Sequence, residues 1–142
     1  MNRAWILEQI PHQGTMCLLD GVLDWNPDQV RCVSRSHRDK DHPLRTHGRL
    51  ATICGIEVAA QCMAVHGALL AANSAHARRI GYLAALRSVT VYVARLDEIV
   101  DDLIATAQCL GTSNVASQYR FSLTAGSRLL LDGRATIATD PL

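Results

Sequence analysis

Apolar residues at Ile53, Ile56, Ala60, Met63, Gly67 and Leu70 recur in steps of three and four, which predicts a long helix over TICGIEVAAQCMAVHGALLAANSAHAR from Thr52. The segment is apolar nearly all round, the signature of a helix buried on most sides. Its alanines and glycines let another backbone come close. The flanking segments follow a different period. MCLLDGVLDW (16–25) and QVRCVSRSH read as strands joined through the turn Asn26-Pro27-Asp28, hence a hairpin. After the helix come three or four extended segments: RIGYLAALRSVTVYVARL, DDLIATAQCLG, NVASQYRFSLT and SRLLLDGRATIAT. Alternation is plain at Leu103, Ala105, Ala107 and Cys109 and at Tyr119, Phe121 and Leu123. Turns are expected at Gly111-Thr112-Ser113-Asn114 and Thr124-Ala125-Gly126-Ser127. Residues 2–10 suit a short helix or turn ending at Pro11, with Trp5, Ile6 and Ile10 on one side, and SHRDKDHPLRTHGR is too charged for a core element and reads as an ordered loop.

The order hairpin, loop, one buried helix and a run of strands is an α+β layout, with the helix against one sheet face. At 142 residues it makes one domain, 1–142. Lys and Arg number 14 against 13 Asp and Glu, a net charge of +1 that removes the electrostatic case for a nucleic-acid binder or a polybasic membrane protein. The N-terminal residues lack a signal-peptide core, and the 53–72 stretch carries Glu57, Gln61 and His66, so a soluble cytoplasmic protein is expected. Five cysteines without a CxxC read as small core residues in a reducing compartment. His37, His42 and His47 are evenly spaced, with Asp39 and Asp41 between, but a spacing of five in a loop fits no standard ligand pattern; no metal and no cofactor are expected.

The residue that most needs an explanation is Glu57. Burial penalises an ionised carboxylate, although the positive end of a helix offsets part of the penalty. Gln61, four residues on and about 40° round, shares its face; His66, about 180° round, does not. One reading makes Glu57 a helix-end cap or a solvent-facing side chain. The other notes Gly55 just before it and histidines in the loop upstream: a histidine base, a carboxylic acid and free backbone N–H groups suit elimination or addition beside a thioester carbonyl.

The stretches IPHQGTMCLLDGVLDW, HPLRTHGRLATICGIEVAAQCMAVHGALLA, RIGYLAALRSVTVYV and SRLLLDGRATIAT, in this order over most of the chain, resemble the hotdog-fold 3-hydroxyacyl-(acyl carrier protein) dehydratases, and more closely their divergent aryl-polyene-type branch. The resemblance implies a long central helix wrapped by an antiparallel sheet. It also implies a homodimer, or a heterodimer with another dehydratase, whose two sheets join and whose sites place a histidine of one protomer opposite the carboxylate of the other. Glu57 matches the family carboxylate. His42, 15 positions before it, is the expected base, with His47 in reserve, because HPLRTHGRL departs from the family's His-Phe-Pro-Gly type loop. His12, in IPHQG, matches a histidine read as structural, fixing the first turn near the site. Gly55, Ile56 and Gln61 are expected at the substrate, Gln61 orienting Glu57 and a backbone N–H at Gly55 or its neighbour holding the thioester oxygen. Arg78, Arg79 and Arg87 could meet an acidic carrier protein. The implied activity converts (3R)-hydroxyacyl thioesters on acyl carrier protein, or coenzyme A, to trans-2-enoyl thioesters in fatty-acid or aryl-polyene biosynthesis. Two alternatives are a hotdog thioesterase and a non-catalytic partner of an active dehydratase.

Overall fold

Period-two alternation places one side-chain set of each strand on the same sheet face, and register then decides whether these sets meet. In the computed structural model, which describes residues 1–73 and 81–139, they do. The strands β1 (Gly21–Asn26), β2 (Gln29–Ser34), β3 (Gly81–Val91), β4 (Leu103–Thr112), β5 (Ala116–Ala125) and β6 (Arg128–Thr139) form one antiparallel sheet in the order β1-β2-β4-β5-β6-β3. Leu103, Ala105 and Ala107 of β4 stand opposite Ala125, Leu123 and Phe121 of β5, and all six are buried. Helix α2 (Gly55–Ala72) covers this face with Val58, Ala59, Cys62, Met63, Val65 and Leu69. Small residues bring it close: a Cβ on Gly55 would lie 2.6 Å from Leu123 Cδ2 and 2.9 Å from Leu131 Cδ2.

The chain leaves β2, passes through α2 to the far edge at β3, and returns to lay β4 beside β2. Among the described residues β3 pairs only with β6, and it leaves Tyr82, Leu83, Leu86 and Val91 exposed. Helix α1 (Arg3–Gln9) is capped by Asn2, whose side chain accepts the Trp5 N–H at 3.1 Å, and it sends Ile6 into the core.

Several expected boundaries shift. The first strand begins at Gly21, because Gly14–Met16 form a 3₁₀ turn entered through Gly14 at φ +59° and Leu18 gives its N–H to a side chain instead of a strand partner. The long helix begins at Gly55, with Thr52–Cys54 tightened into a 3₁₀ turn; its expected continuation toward Arg78 lies outside the described residues, as do Arg78 and Arg79 themselves. By length and hydropathy alone, Thr52–Ala72 does qualify as a membrane crossing (21 residues, mean hydropathy 1.6), against the reading of its polar residues as disqualifying. In the fold this apolar surface is the one the sheet covers.

Candidate active site

Glu57 sits in the first turn of α2, where the exposed N–H dipoles favour a negative charge. Its neighbour one turn on, Gln61, is fully buried and tightly held. The Gln61 Oε1 accepts the Leu18 N–H at 2.8 Å, which turns its amide nitrogen toward two acceptors, Met16 O at 2.8 Å and Glu57 Oε1 at 3.2 Å. The residue expected to orient Glu57 thus has its amide nitrogen within 3.2 Å of the carboxylate.

A second group reaches the same oxygen. His12 Nε2 lies 2.9 Å from Glu57 Oε1, with the two side chains 30% and 34% exposed. The segment carrying His12 is fastened on three sides. Gln13 Nε2 donates to Leu7 O at 2.9 Å, Arg3 donates to Gly14 O at 2.8 Å and Cys17 O at 3.0 Å, and Gln61 holds Met16 and Leu18. His12 Nδ1 is buried without a hydrogen-bond partner. A ring proton there would have no acceptor, so the proton of a neutral ring belongs on Nε2, the nitrogen that faces Glu57. Glu57 Oε1 thus accepts one hydrogen bond, from Gln61, and lies beside the His12 ring nitrogen, while among the described residues none donates to Oε2.

The loop histidines lie elsewhere within the chain. His42 is buried, and its Nδ1 accepts the Leu44 N–H at 3.1 Å, which places the proton of a neutral ring on Nε2. It borders a cavity of about 310 Å³ shared with Arg3, Thr15, Cys17 and Asp39. Burial, helped by the Arg45 guanidinium, pushes His42 below the usual imidazole range. His47 stands exposed at a turn tip with φ +53°, followed by Gly48 at +75°, where Thr46 and Arg49 exchange backbone hydrogen bonds at 2.8 and 3.0 Å. His37 is buried, with Nε2 on Ile99 O at 3.0 Å. Among the described residues no three His, Cys, Asp or Glu side chains converge as a metal site would require.

Gly55 has a different place from the one expected. Its N–H turns back to the Thr52 and Ile53 carbonyls, so its position at the helix start serves contact with the sheet, not an open oxyanion donor. Ile56 packs partly buried against the core, and Arg87 stands exposed on β3. His66 lies deep under the sheet: Nε2 donates to Asn26 O at 3.0 Å, so Nδ1 accepts the Tyr119 hydroxyl at 2.7 Å. Burial lowers the His66 pKa and raises that of Tyr119.

What sequence reasoning missed is the direct contact of His12 with Glu57. The only signal for it was a histidine placed between Pro11 and Gly14, at the turn where the chain leaves α1.

No curated protein matches the chain in sequence. Among solved structures, the dehydratase heterocomplex ApeI:P from Xenorhabdus doucetiae superposes with a TM-score of 0.84 at 21% identity, covering 95% of this chain and 90% of that one. The zebra fish thioesterase superfamily member 2 matches with a TM-score of 0.66 at 17% identity over 97% and 95% of the two chains. The PaaI protein of the E. coli phenylacetic acid degradation operon matches with 0.62 at 11% over 83% and 81%. These likenesses establish the α+β hotdog fold. The family model for the ApeP dehydratase, ApeP-like, matches residues 5–141, nearly the whole length, and the chain belongs to that family.

Proposed function

We propose that the chain dehydrates (3R)-hydroxyacyl thioesters to trans-2-enoyl thioesters, with the acyl group delivered on acyl carrier protein or coenzyme A, in fatty-acid or aryl-polyene-type biosynthesis. The observation that carries this reading is Glu57 at the start of a buried helix, one oxygen bonded by Gln61 and 2.9 Å from the His12 ring nitrogen, with no described residue donating to the other. Such a carboxyl group is placed for proton transfer at the carbon beside a thioester carbonyl and at the hydroxyl one carbon further on.

The surroundings suit a thioester. On α2 the face of Glu57 continues through Ala60, Ala64 and Gly67, none of them fully buried. A narrow groove of about 80 Å³ runs there between Pro11, Met63, Ala64, Gly67, Gly81 and Ile137. An acyl chain laid along it would pass from the segment of His12 toward the β3 edge. That edge, 11 residues long and exposing Tyr82, Leu83, Leu86 and Val91, supports pairing with a second chain, either another copy or a partner dehydratase. Such pairing would bring a second loop to the site, with His42, or His47 in reserve, as the histidine facing Glu57.

A thioesterase is the second reading, favoured by the thioesterase neighbours of the fold and by a helix-start carboxylate that could direct water onto the thioester carbon. The two are separated by incubating the protein with a 3-hydroxyacyl thioester and with a saturated acyl thioester. Enoyl absorbance from the first, with the thiol still esterified, is the expected outcome; free thiol without enoyl product would establish hydrolysis instead.

A further inference from the structure

Alternation puts the polar residues of the central strands on the sheet face turned away from α2. Arg120 lies between the buried Tyr119 and Phe121, and Arg134 between the buried Gly133 and Ala135, so both arginines point outward. Register then sets them side by side. Gln29, Gln108, Arg120, Arg134 and Arg87 are successive cross-strand partners along one row of the sheet, so three arginines stand on neighbouring strands about 4.8 Å apart. Like charges directly opposite one another work against strand pairing. Among the described residues no carboxylate forms an ion pair with Arg87, Arg120 or Arg134. Asp132, in the next row, instead accepts the Tyr92 hydroxyl at 3.0 Å.

We propose that this row is a binding site for a phosphate-bearing small molecule. Beside Arg120 and Arg134 the face holds a cavity of about 370 Å³, lined also by Gln29, Gln108, Ser122 and Ser88. Its volume falls in the lower part of the roughly 300–1,000 Å³ range of small-molecule sites. A guanidinium binds phosphate through two parallel N–H donors, and the amide and hydroxyl groups around it supply further donors. Ser88 sits in a β3 bulge at φ +55°, a backbone conformation that costs energy in a residue other than glycine and that clusters at ligand sites. The unneutralised charge is also narrow. Arg31, further along the same face, is paired with Asp24, so the three remaining arginines span only two strand spacings, about 10 Å. That width suits one phosphate or diphosphate group better than the broad surface of an acidic protein. Helix α2, which carries Glu57, covers the opposite face of the sheet, so this site is distinct from the one around Glu57.

The phosphate can belong to a free phosphorylated metabolite or to coenzyme A, so inorganic pyrophosphate and coenzyme A are the two probes, titrated calorimetrically into the full chain at low salt. Arg120→Gln and Arg134→Gln should each weaken pyrophosphate binding about 10-fold or more, the loss expected for a hydrogen bond to a charged group. Arg31→Gln, on the same face but outside the row, should change it by about 2-fold at most. Thermal melting of the same proteins separates binding from folding. Without ligand, Arg134→Gln should melt no lower than the wild type, because a like-charge contact is gone. Saturating pyrophosphate should raise the wild-type melting temperature by about 3 °C or more and leave the Arg120→Gln/Arg134→Gln double variant unchanged. Coenzyme A bound more tightly than pyrophosphate, with the same loss in the variants, would support the site with coenzyme A as the source; pyrophosphate bound as tightly or more so would support it with a free metabolite. Binding of neither probe, binding retained by the double variant, or stabilisation matched by sodium chloride at equal ionic strength would overturn the site. Poly-glutamate bound more tightly than pyrophosphate would overturn it in favour of an acidic protein surface.

Discussion

Replacing Gln61 by leucine removes the polar connection between α2 and the segment that carries His12, with little change in side-chain volume. Gln61 is fully buried and makes three hydrogen bonds, to Leu18 N, Met16 O and Glu57 Oε1. Leaving a buried backbone group unpaired costs about 1–3 kcal/mol. Leu18 is buried and bears this in full, whereas Met16 is 38% exposed, so water can meet its carbonyl. The expected loss is therefore about 2–4 kcal/mol, a large share of the roughly 5–15 kcal/mol typical of a domain. Urea unfolding should show a lower midpoint at unchanged slope, and the melting temperature should fall by about 5–15 °C for a chain of this size. Gln61→Glu supplies an internal control. Its carboxylate can still accept from Leu18 but sets its second oxygen against two acceptors, so its protonated form is favoured on folding. This variant should thus gain stability relative to Gln61→Leu as the pH falls. A Gln61→Leu protein as stable as wild type, or a Gln61→Glu protein with no such relative gain, would refute the view that this amide ties the site together.

Two further outcomes follow from packing and burial. Gly55→Ala should destabilise by about 1–3 kcal/mol, less a partial offset from helix propensity, because its methyl would meet Leu123 and Leu131; Gly67→Ala, with nothing within 4 Å, should stabilise by about 1 kcal/mol, and chemical denaturation of the pair checks the opposite signs. Burial lowers the pKa of His37, His42 and His66, so between those lowered values and the ordinary unfolded value near 6.5 the unfolded chain binds more protons. The unfolding free energy should accordingly be highest above about pH 6.5 and decline from pH 7 to pH 5; a flat or rising profile would contradict the burial of neutral imidazoles.

Much of this architecture is legible from period alone. The alternation of Leu103, Ala105 and Ala107 and of Tyr119, Phe121 and Leu123 marks inward faces, and the helical spacing from Ile53 to Leu70 marks the element that covers them. Glu57 and Gln61 stand out for the same local reason, being polar residues four apart in an apolar helix. Boundaries are less legible where a distant group decides them: residues 17–20 have strand-like composition, yet Leu18 gives its N–H to Gln61, 43 positions away. The pairing of His12 with Glu57 is of that kind as well. Neither residue's neighbours encode it, because it arises when α1, the Gly14 turn and α2 are packed together. His42 illustrates the converse: its spacing from Glu57 is readable in sequence, but its tautomer depends on the loop's own backbone.

The most direct test of the account is the turnover of a 3-hydroxyacyl thioester by Glu57→Gln, a nearly isosteric change that keeps a polar group at the helix start and removes the carboxylate proposed to transfer the proton. The account predicts enoyl formation reduced by about 100-fold or more in a protein of wild-type fold and assembly. Turnover within a few-fold of wild type would contradict it.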